Sequence, residues 1–171
     1  VHRLNSIVEQ FLSLARPIEL KLEKLKVEEV MTELATLVES DAKGSNVRIS
    51  VLTPPDLQTV SADRNYLKQV LLNLILNGLQ AMPDGGTLTL EASTSRNDLL
   101  LTVMDTGVGI SPEILPRIFE PYFTTKDKGS GLGLAIARRI VEEHGGTLTV
   151  NTKAARGSRF LISLPLEVAE G

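Results

Sequence analysis

Four short apolar segments, arranged as two pairs with a brief polar turn inside each pair, restrict the fold of this chain more than any other feature. Residues 87–94 and 99–104 flank the tetrapeptide SRND, and residues 147–151 and 158–164 flank a turn that contains KAARG. Turns this short join antiparallel strands, whereas parallel strands need a longer crossover. Hairpins therefore supply most of the predicted strands, which favours a mixed sheet with helices on one face over a doubly wound parallel sheet.

The remaining segments alternate between helical and strand-like patterns. Apolar residues at helical spacing predict helices over residues 1–15, 27–43, 64–82 and 131–144, and we expect further short strands over residues 20–25, 47–52 and 58–61. Pro17 should end the first helix, because proline cannot continue the backbone hydrogen-bond pattern. Asp63 is suited to cap the start of the third helix, and Gly145 and Gly146 the end of the last.

Length and charge narrow the class of protein. A chain of 171 residues suits one domain with a short appendage, and it begins with Val, which suggests a piece of a longer protein. The net charge of −3 argues against nucleic acid as a partner. The absence of cysteine excludes disulfides, and the distant His2 and His144 make a histidine metal site improbable. No signal peptide or spanning helix is visible, so we expect a cytoplasmic chain; whether its parent is membrane-anchored stays open.

The stretch DTGVGI, which opens at Asp105 directly after an apolar run, is the first candidate site. A carboxylate at a strand end can present a hydrogen-bond acceptor in a cleft, while Gly107 and Gly109 let the backbone approach a flat ligand closely. Such an acceptor would select the exocyclic amine of adenine over the carbonyl of guanine. Taken alone, the pattern is more typical of an aspartate that stabilises a tight turn.

Asn73 and Asn77 form the second candidate, since a spacing of four residues places both amides on one face of a helix. Carboxamide oxygens can bind a hard cation such as Mg²⁺, and the amide N–H groups can donate to phosphate. The alternative interpretation is a polar stripe exposed to solvent.

Two further candidate segments come after DTGVGI, one within a long loop and one at the end of that loop. GSGLGL at residues 129–134 leads into a predicted helix, whose unpaired N–H groups and dipole favour a polyphosphate, although a flexible hinge would read the same way. IFEPYFTTK at residues 118–126 places three aromatic residues and Lys126 in the loop. We interpret the aromatic residues as anchors of a mobile lid at about residues 106–130 and Lys126 as a candidate phosphate contact.

Taken in chain order, Asn73 with Asn77, DTGVGI, IFEPYFTTK and GSGLGL resemble the N box, first glycine box, F box and second glycine box of the catalytic ATP-binding domain of sensor histidine kinases. That domain belongs to the gyrase, chaperone, histidine kinase and mismatch-repair ATPase superfamily. The resemblance covers about residues 18–166, and NGLQAMPDGG looks like the nitrogen-regulation-type branch. FLSLARP looks like the end of the preceding dimerisation helix, so we expect that helix and a linker over residues 1–17 and the catalytic domain over residues 18–171.

The resemblance implies an α/β two-layer sandwich of the α+β type, with a mixed, mainly antiparallel sheet packed on three helices and an N-terminal helix stub. It also implies ATP and Mg²⁺ as cofactors. Asp105 would bind the adenine amine, Asn77 the metal and nucleotide, and Asn73, Asn77 and Lys126 would be the catalytic residues. The other nucleotide-binding residues would be Gly107, Gly109, Ile110, Phe119, Gly129, Ser130, Gly131, Leu132, Gly133, Leu134 and Ser158.

The implied activity is transfer of the γ-phosphate of ATP to a protein histidine. Gyrase-type relatives carry a water-activating glutamate where this chain has Asn73, and an amide is no useful base, which favours transfer over hydrolysis. The acceptor histidine would lie on a dimerisation domain absent here, because His2 is followed by RLNS, which does not match the acceptor pattern. The expected partners are that domain, a response regulator and, in the full-length protein, a second copy. The alternatives are an anti-sigma-type serine kinase and a non-catalytic nucleotide-sensing module.

Overall fold

A computed structural model describes residues 2–126, 129–152 and 156–166, with the side chains of residues 2–7 and 10 excepted. Its helices are α1 (His2–Ala15), α2 (Val27–Leu37), α3 (Glu39–Gly44), α4 (Arg64–Gln80) and α5 (Gly133–Glu143). Its strands are β1 (Glu23–Leu25), β2 (Val47–Leu52), β3 (Val60–Ala62), β4 (Gly86–Ser95), β5 (Asp98–Asp105), β6 (Thr147–Thr152) and β7 (Ser158–Pro165). No helix in these ranges combines the length and the apolar character needed to cross a lipid bilayer.

Five of the strands form one sheet in the order β2-β4-β5-β7-β6. The pair β2 and β4 is parallel, and the other three neighbouring pairs are antiparallel. The predicted SRND hairpin is present, with Ser95 paired to Asp98 and Arg96 at a φ of 54°, a left-handed conformation typical of two-residue hairpin turns. The prediction of a mixed, mainly antiparallel sheet is therefore confirmed.

The core lies between this sheet and helices α2, α4 and α5, which pack on one face of it. In β5 the side chains of Leu99, Leu101 and Val103 alternate onto the helix side and are at most 2% exposed. Each such side chain contributes about 1.5–3 kcal/mol through its burial. The two-layer sandwich with three packed helices is confirmed, and the alternation carries Asp105, two residues after Val103, onto the same face.

Two predicted helices break or begin differently in the structure. The single helix over residues 27–43 is wrong: α2 and α3 are separated at Val38, where ψ is 3°. Hydrogen bonds from Val38 N–H to Leu34 and from Ala42 N–H to Val38 continue across the bend, so the apolar periodicity does not reveal it. The helix predicted from residue 131 begins at Gly133, because Gly131 adopts a φ of 72° that no α-helix contains.

The strand predicted over residues 20–25 is limited to β1, which pairs only with β3 and lies outside the main sheet. Upstream of β1, the backbone N–H of Lys21 donates to Asp63 Oδ2 at 2.8 Å. The other oxygen of Asp63 accepts from the N–H groups of Asn65 and Tyr66 at 3.0 and 3.1 Å, which confirms the predicted cap of α4. One buried carboxylate thus joins the chain before β1 to the start of α4.

His144 at the end of α5 holds this junction from the other side. Its Nδ1 donates to the carbonyl of Ile140 at 2.8 Å, and its Nε2 accepts from the N–H of Asp63 at 3.0 Å, so the ring is neutral with its proton on Nδ1. Because removal of the ring leaves that N–H unpaired, we expect His144→Ala to lower the free energy of unfolding by about 1–3 kcal/mol in a urea titration. Glu143→Ala, at an exposed neighbouring position, is the control, and equal effects of the two changes would contradict this assignment.

Arg139 connects α1 to α5. Its guanidinium donates to the backbone carbonyls of Ser13, Leu14 and Arg16, with distances of 2.8 Å to Ser13 and 2.6 Å to Arg16. These carbonyls stand at the end of α1, where no further helical turn can satisfy them. The end of α1 is therefore fixed to the helix that begins at the second glycine segment.

Candidate functional site

Three polar side chains stand in a row across neighbouring strands at one end of the sheet. Asp105 of β5 is paired with Ser158 of β7, and Ser158 is paired with Thr152 of β6. All three lie on the core face of the sheet, in line with its apolar residues, and Asp105 and Ser158 are only 4% and 6% exposed. A polar row on an otherwise apolar face marks a place where a ligand rather than solvent is recognised.

Asp105 is the acidic residue of this row. Its Oδ1 accepts the backbone N–H of Gly107 at 2.9 Å. Burial raises the pKa of Asp105 above its usual 3.8, and this outweighs the nearby backbone N–H groups of Gly107 and Ser158, which lower it. Burial therefore disfavours the ionised form of this carboxyl.

The raised pKa of Asp105 predicts a pH dependence. Below about 3.8 the carboxyl is protonated in both folded and unfolded chains; as the pH rises through its raised folded value, the native state alone is penalised for ionising it. The unfolding free energy of Asp105→Asn, relative to that of the unsubstituted chain, should therefore increase between pH 3.5 and 7. Urea titrations at both pH values measure it. A relative stability that is constant or falls would show that the carboxylate is not destabilised by burial.

The loop after Asp105 lies directly on the C-terminal end of α4. The N–H of Val108 donates to the carbonyl of Ala81 at 3.0 Å. A Cβ atom on Gly107 would stand 2.2 Å from that carbonyl oxygen, so only glycine permits the approach. Gly109 adopts a φ of 72°, which also favours glycine. Both glycines of DTGVGI are thus required by the backbone, as the sequence indicated.

Gly78 of α4 brings the helix equally close to the strands, and sequence reasoning missed it. A Cβ atom there would lie 2.7 Å from Leu88 Cδ1 and 3.8 Å from Asp105 Oδ2. The missing side chain lets α4 pack against Leu88 of β4 and against Asp105 at the end of β5. The available signal was a glycine inside a helical pattern, which costs about 1 kcal/mol relative to alanine and so implies close packing.

Thr152 is the second residue that sequence reasoning missed. Its hydroxyl lies 3.0 Å from Ser158 Oγ, accepts from the N–H of Ile110 at 3.0 Å and donates to the carbonyl of Gly157 at 3.0 Å. The strand was predicted to end at residue 151, one residue short. Extending the hairpin by a single pair would have placed Thr152 opposite Ser158.

The candidate catalytic residues lie together beside α4, on a different side of the helix from Gly78. Asn73 and Asn77 lie one turn apart, and Asn73 Nδ2 donates to the carbonyl of Gly133 at 3.1 Å, at the start of α5. Lys126 Nζ donates to Asn77 Oδ1 at 2.9 Å and also to Gln80 Oε1, a residue that was not predicted. Desolvation lowers the pKa of Lys126. The structure therefore brings Asn73, Asn77 and Lys126 together as a group.

The amide oxygens of Asn77 and Gln80 both contact a positive charge, which indicates that these side chains suit a cation. Both accept from the same ammonium, so their oxygen atoms already point at one cationic centre. Mg²⁺ is usually held by one or two carboxylates together with substrate phosphates. Here neutral amide oxygens, which are also hard donors, would take the place of the carboxylates, and the phosphates would supply the negative charge. Within the described ranges no group of three His, Cys, Asp or Glu side chains is placed to hold a metal ion.

The second glycine segment is packed against the middle of the long loop. Gly131 has a φ of 72°, its carbonyl accepts the N–H of Tyr122 at 2.9 Å, and a Cβ on it would lie 2.4 Å from the carbonyl carbon of Tyr122. Leu132, fully buried, precedes α5, and its N–H donates to Ser130 Oγ at 3.3 Å. Gly129 is exposed and Leu134 is half-buried. The predicted phosphate-binding amides thus stand at the start of α5.

Phe119 anchors the loop to the core. Its ring meets that of Phe160 edge to face, with centroids 6.5 Å apart, and Arg138 lies over it at 5.2 Å. The neighbouring Ile118 is 8% exposed. These contacts agree with the anchoring role predicted for Phe119, whereas Tyr122 of the same segment is 57% exposed and does not anchor the loop by burial. Residues 127 and 128 of the predicted lid, like residues 153–155 of the KAARG turn, lie outside the described ranges.

A family profile described as histidine kinase-, DNA gyrase B-, and HSP90-like ATPase matches residues 62–168. These residues include every side chain of the site described above. The chain belongs to this ATPase family. The fold agrees with this membership.

Three individual proteins show which members of the ATPase family this chain resembles. Sensor histidine kinase ZraS of Salmonella typhi is 41% identical over 165 residues, which cover 96% of this chain and 36% of the relative. A crystal structure of full-length ShkA in complex with AMPPNP superposes with a TM-score of 0.89 at 31% identity, covering 98% of this chain and 37% of that one. A structure of histidine kinase ThkA in complex with response regulator protein TrrA has a TM-score of 0.83 at 29% identity, covering 97% and 48%.

These matches confirm the resemblance to the catalytic ATP-binding domain of sensor histidine kinases. The chain spans only about a third of the length of the curated relatives it matches, 36% in the case of ZraS. The nitrogen-regulation-type branch stays a prediction.

Proposed function

We propose that this chain binds Mg-ATP and transfers its γ-phosphate to a histidine on a dimerisation domain, as the catalytic part of a two-component sensor histidine kinase. One observation carries the proposal: consecutive residues of α4 face both halves of the site. Gly78 packs beside the buried Asp105, while Asn77 belongs to the group with Lys126. A nucleotide lying along this helix would present its base to one half and its phosphates to the other. The ATPase family and the AMPPNP complex of ShkA support this proposal.

The base would lie against the end of β5. Asp105, whose pKa is raised by burial, would accept the exocyclic amine of adenine. Gly107, Gly109 and Ile110 would line the base and ribose, and Ser158 would close the pocket beside the carboxylate. A buried acceptor discriminates strongly, because a ligand that offers a carbonyl in place of the amine leaves it unpaired.

The phosphates would lie at the start of α5, where residues 129–133 present backbone N–H groups at the positive end of the helix dipole. Asn73 holds this helix start by its bond to Gly133. Asn77, with Gln80 beside it, would hold Mg²⁺, which when bound neutralises charge on the phosphates. A cation on Asn77 would release the Lys126 ammonium to contact a phosphate oxygen, which reconciles its present partners with its predicted role.

Transfer rather than hydrolysis follows from the chemistry of Asn73. Its side chain is an amide engaged with Gly133, so it offers no base to activate water. The rate would then depend on positioning of the phosphate against a nucleophile supplied by another domain. We assign residues 1–17 to the end of the dimerisation helix and its linker, residues 18–171 to the catalytic domain, and about residues 106–130 to a lid. The proposed partners are the dimerisation domain, in a homodimeric full-length protein, and a response regulator, which the ThkA–TrrA complex supports.

The metal role of Asn77 makes a specific prediction. In the unsubstituted chain we expect ATP to bind about tenfold more tightly with Mg²⁺ than with EDTA, about 1.4 kcal/mol, and Asn77→Ala should remove this difference. Isothermal titration calorimetry under both conditions measures it. Asn65→Ala, at an exposed position in the first turn of the same helix, is the matched control and should keep the full metal dependence. An undiminished metal effect in Asn77→Ala would exclude this residue as a metal ligand.

The transferase is tested by mixing the chain with a separately produced histidine-bearing dimerisation domain from a matching kinase and γ-labelled ATP. We expect the added domain to become labelled, and the label to be lost in acid and kept in alkali, as phosphohistidine requires. Acid-stable label would favour the serine kinase alternative. Bound ATP with no labelled acceptor would favour the nucleotide-sensing module.

A further inference from the structure

The hydroxyl of Thr152 has a fully determined hydrogen-bond arrangement. It has one proton to donate and two lone pairs with which to accept. The carbonyl of Gly157 can only accept, so the proton points there, and the N–H of Ile110 can only donate, so it occupies one lone pair. The third partner, Ser158 Oγ at 3.0 Å, faces the remaining lone pair. Ser158 must therefore be the donor in that contact.

This assignment fixes what Ser158 can offer to a ligand. With its single proton committed to Thr152, its oxygen can only accept a further hydrogen bond. Ser158 is the direct cross-strand partner of Asp105, on the same face of the sheet, and the ionised carboxylate of Asp105 is likewise only an acceptor. Two adjacent buried side chains thus present acceptors and no side-chain donor. A ligand edge or an ordered water that donates fits this pair, and a carbonyl does not.

We propose that Thr152 is a positioning residue that makes the site selective for adenine over guanine by orienting the Ser158 hydroxyl. The inference deepens the proposed function and rests on nucleotide binding at Asp105. The exocyclic group of adenine donates, whereas guanine carries a carbonyl at the same position. Without the Thr152 oxygen, the Ser158 hydroxyl is free to rotate and donate to that carbonyl, so guanine is no longer rejected to the same degree.

Thr152 also acts on the pocket from a second direction. By accepting from the N–H of Ile110 it fixes the far end of DTGVGI, whose near end is fixed by Gly107 on Asp105. The loop is thus attached at both ends to the polar row. Loss of this bond alone would weaken ADP and GDP alike, whereas reorientation of Ser158 changes their ratio. The two contributions are therefore separable by measuring both nucleotides.

The test uses the full chain with Thr152→Val, which keeps the shape and removes the hydroxyl, and Thr152→Ser, which keeps the hydroxyl. Dissociation constants for ADP and GDP are measured by calorimetry, and thermal unfolding of each variant is recorded. We expect the unsubstituted chain to prefer ADP, the valine variant to lose about tenfold or more of that preference, and the serine variant to keep it within about twofold. Thr152→Ala provides the same measurement if valine disturbs the fold.

The outcomes separate this inference from the proposed function. An unsubstituted chain that binds neither nucleotide defeats the proposed function and the inference together. If the unsubstituted chain prefers ADP and a folded variant without the hydroxyl keeps the same ratio, the proposed function stands and the role of Thr152 is overturned. A serine variant that loses the preference along with valine would show that shape, not the hydroxyl, is responsible, which also overturns it.

Discussion

Replacing Asp105 with asparagine is expected to weaken ADP binding by about 10- to 150-fold while the chain still folds. A hydrogen bond to a charged group contributes about 1.5–3 kcal/mol, which corresponds to that range of affinity. The asparagine side chain has nearly the same shape, but its amide nitrogen cannot accept from the adenine amine. Calorimetric titration of ADP into both chains measures the loss, and thermal unfolding verifies the fold.

Asp98→Asn is the matched control for this experiment. Asp98 begins the same strand that Asp105 ends, and its side chain is exposed at the hairpin turn. The chemical change and the loss of one negative charge are identical in the two variants, so only position distinguishes them. Equal affinities for Asp98→Asn and Asp105→Asn would remove Asp105 from the base-binding role.

A methyl group at Gly107 is expected to abolish nucleotide binding and to lower the free energy of unfolding by about 1–3 kcal/mol. The added atom would lie 2.2 Å from the carbonyl oxygen of Ala81 and 2.7 Å from its carbonyl carbon. Both are backbone atoms of the helix end and cannot rotate away, so the loop must move off α4. That movement breaks the bond from Val108 to Ala81 and carries the loop out of the pocket.

Gly44→Ala supplies the comparison for Gly107→Ala, because a Cβ atom at Gly44 meets nothing within 4 Å. Gly44 ends α3, where alanine has the higher helix propensity, so this variant should be at least as stable as the unsubstituted chain. Urea titrations and ADP calorimetry on both variants test the steric argument. Nucleotide binding that survives in Gly107→Ala would show that the contact of the loop with α4 is not required.

Much of the site could be predicted because local spacing determines it. Alternation along β5 places Asp105 on the face of Leu101 and Val103, and four-residue spacing places Asn73 and Asn77 on one side of α4. The two glycines after Asp105 signalled a close backbone approach, which the distance to Ala81 explains. Each of these inferences depends only on residues that are close together in the sequence.

The features that escaped prediction depend on contacts between distant parts of the chain. His144 and Asp63 are 81 residues apart, and neither side chain indicates the other in the sequence. Thr152 becomes part of the site only through the register of a hairpin, and that register shifts with a single residue at the turn. Backbone hydrogen bonds continue across the bend at Val38, so the apolar periodicity of the sequence does not reveal it.

The partition of ATP between transfer and hydrolysis tests the central claim most directly. In a single turnover with γ-labelled ATP and Mg²⁺, labelled inorganic phosphate and labelled protein are quantified with and without the added dimerisation domain. Because Asn73 offers no base for water, we predict negligible phosphate release from the chain alone and acid-labile label on the added domain. Rapid phosphate release without the acceptor, or bound ATP that never labels the acceptor histidine, would contradict the account.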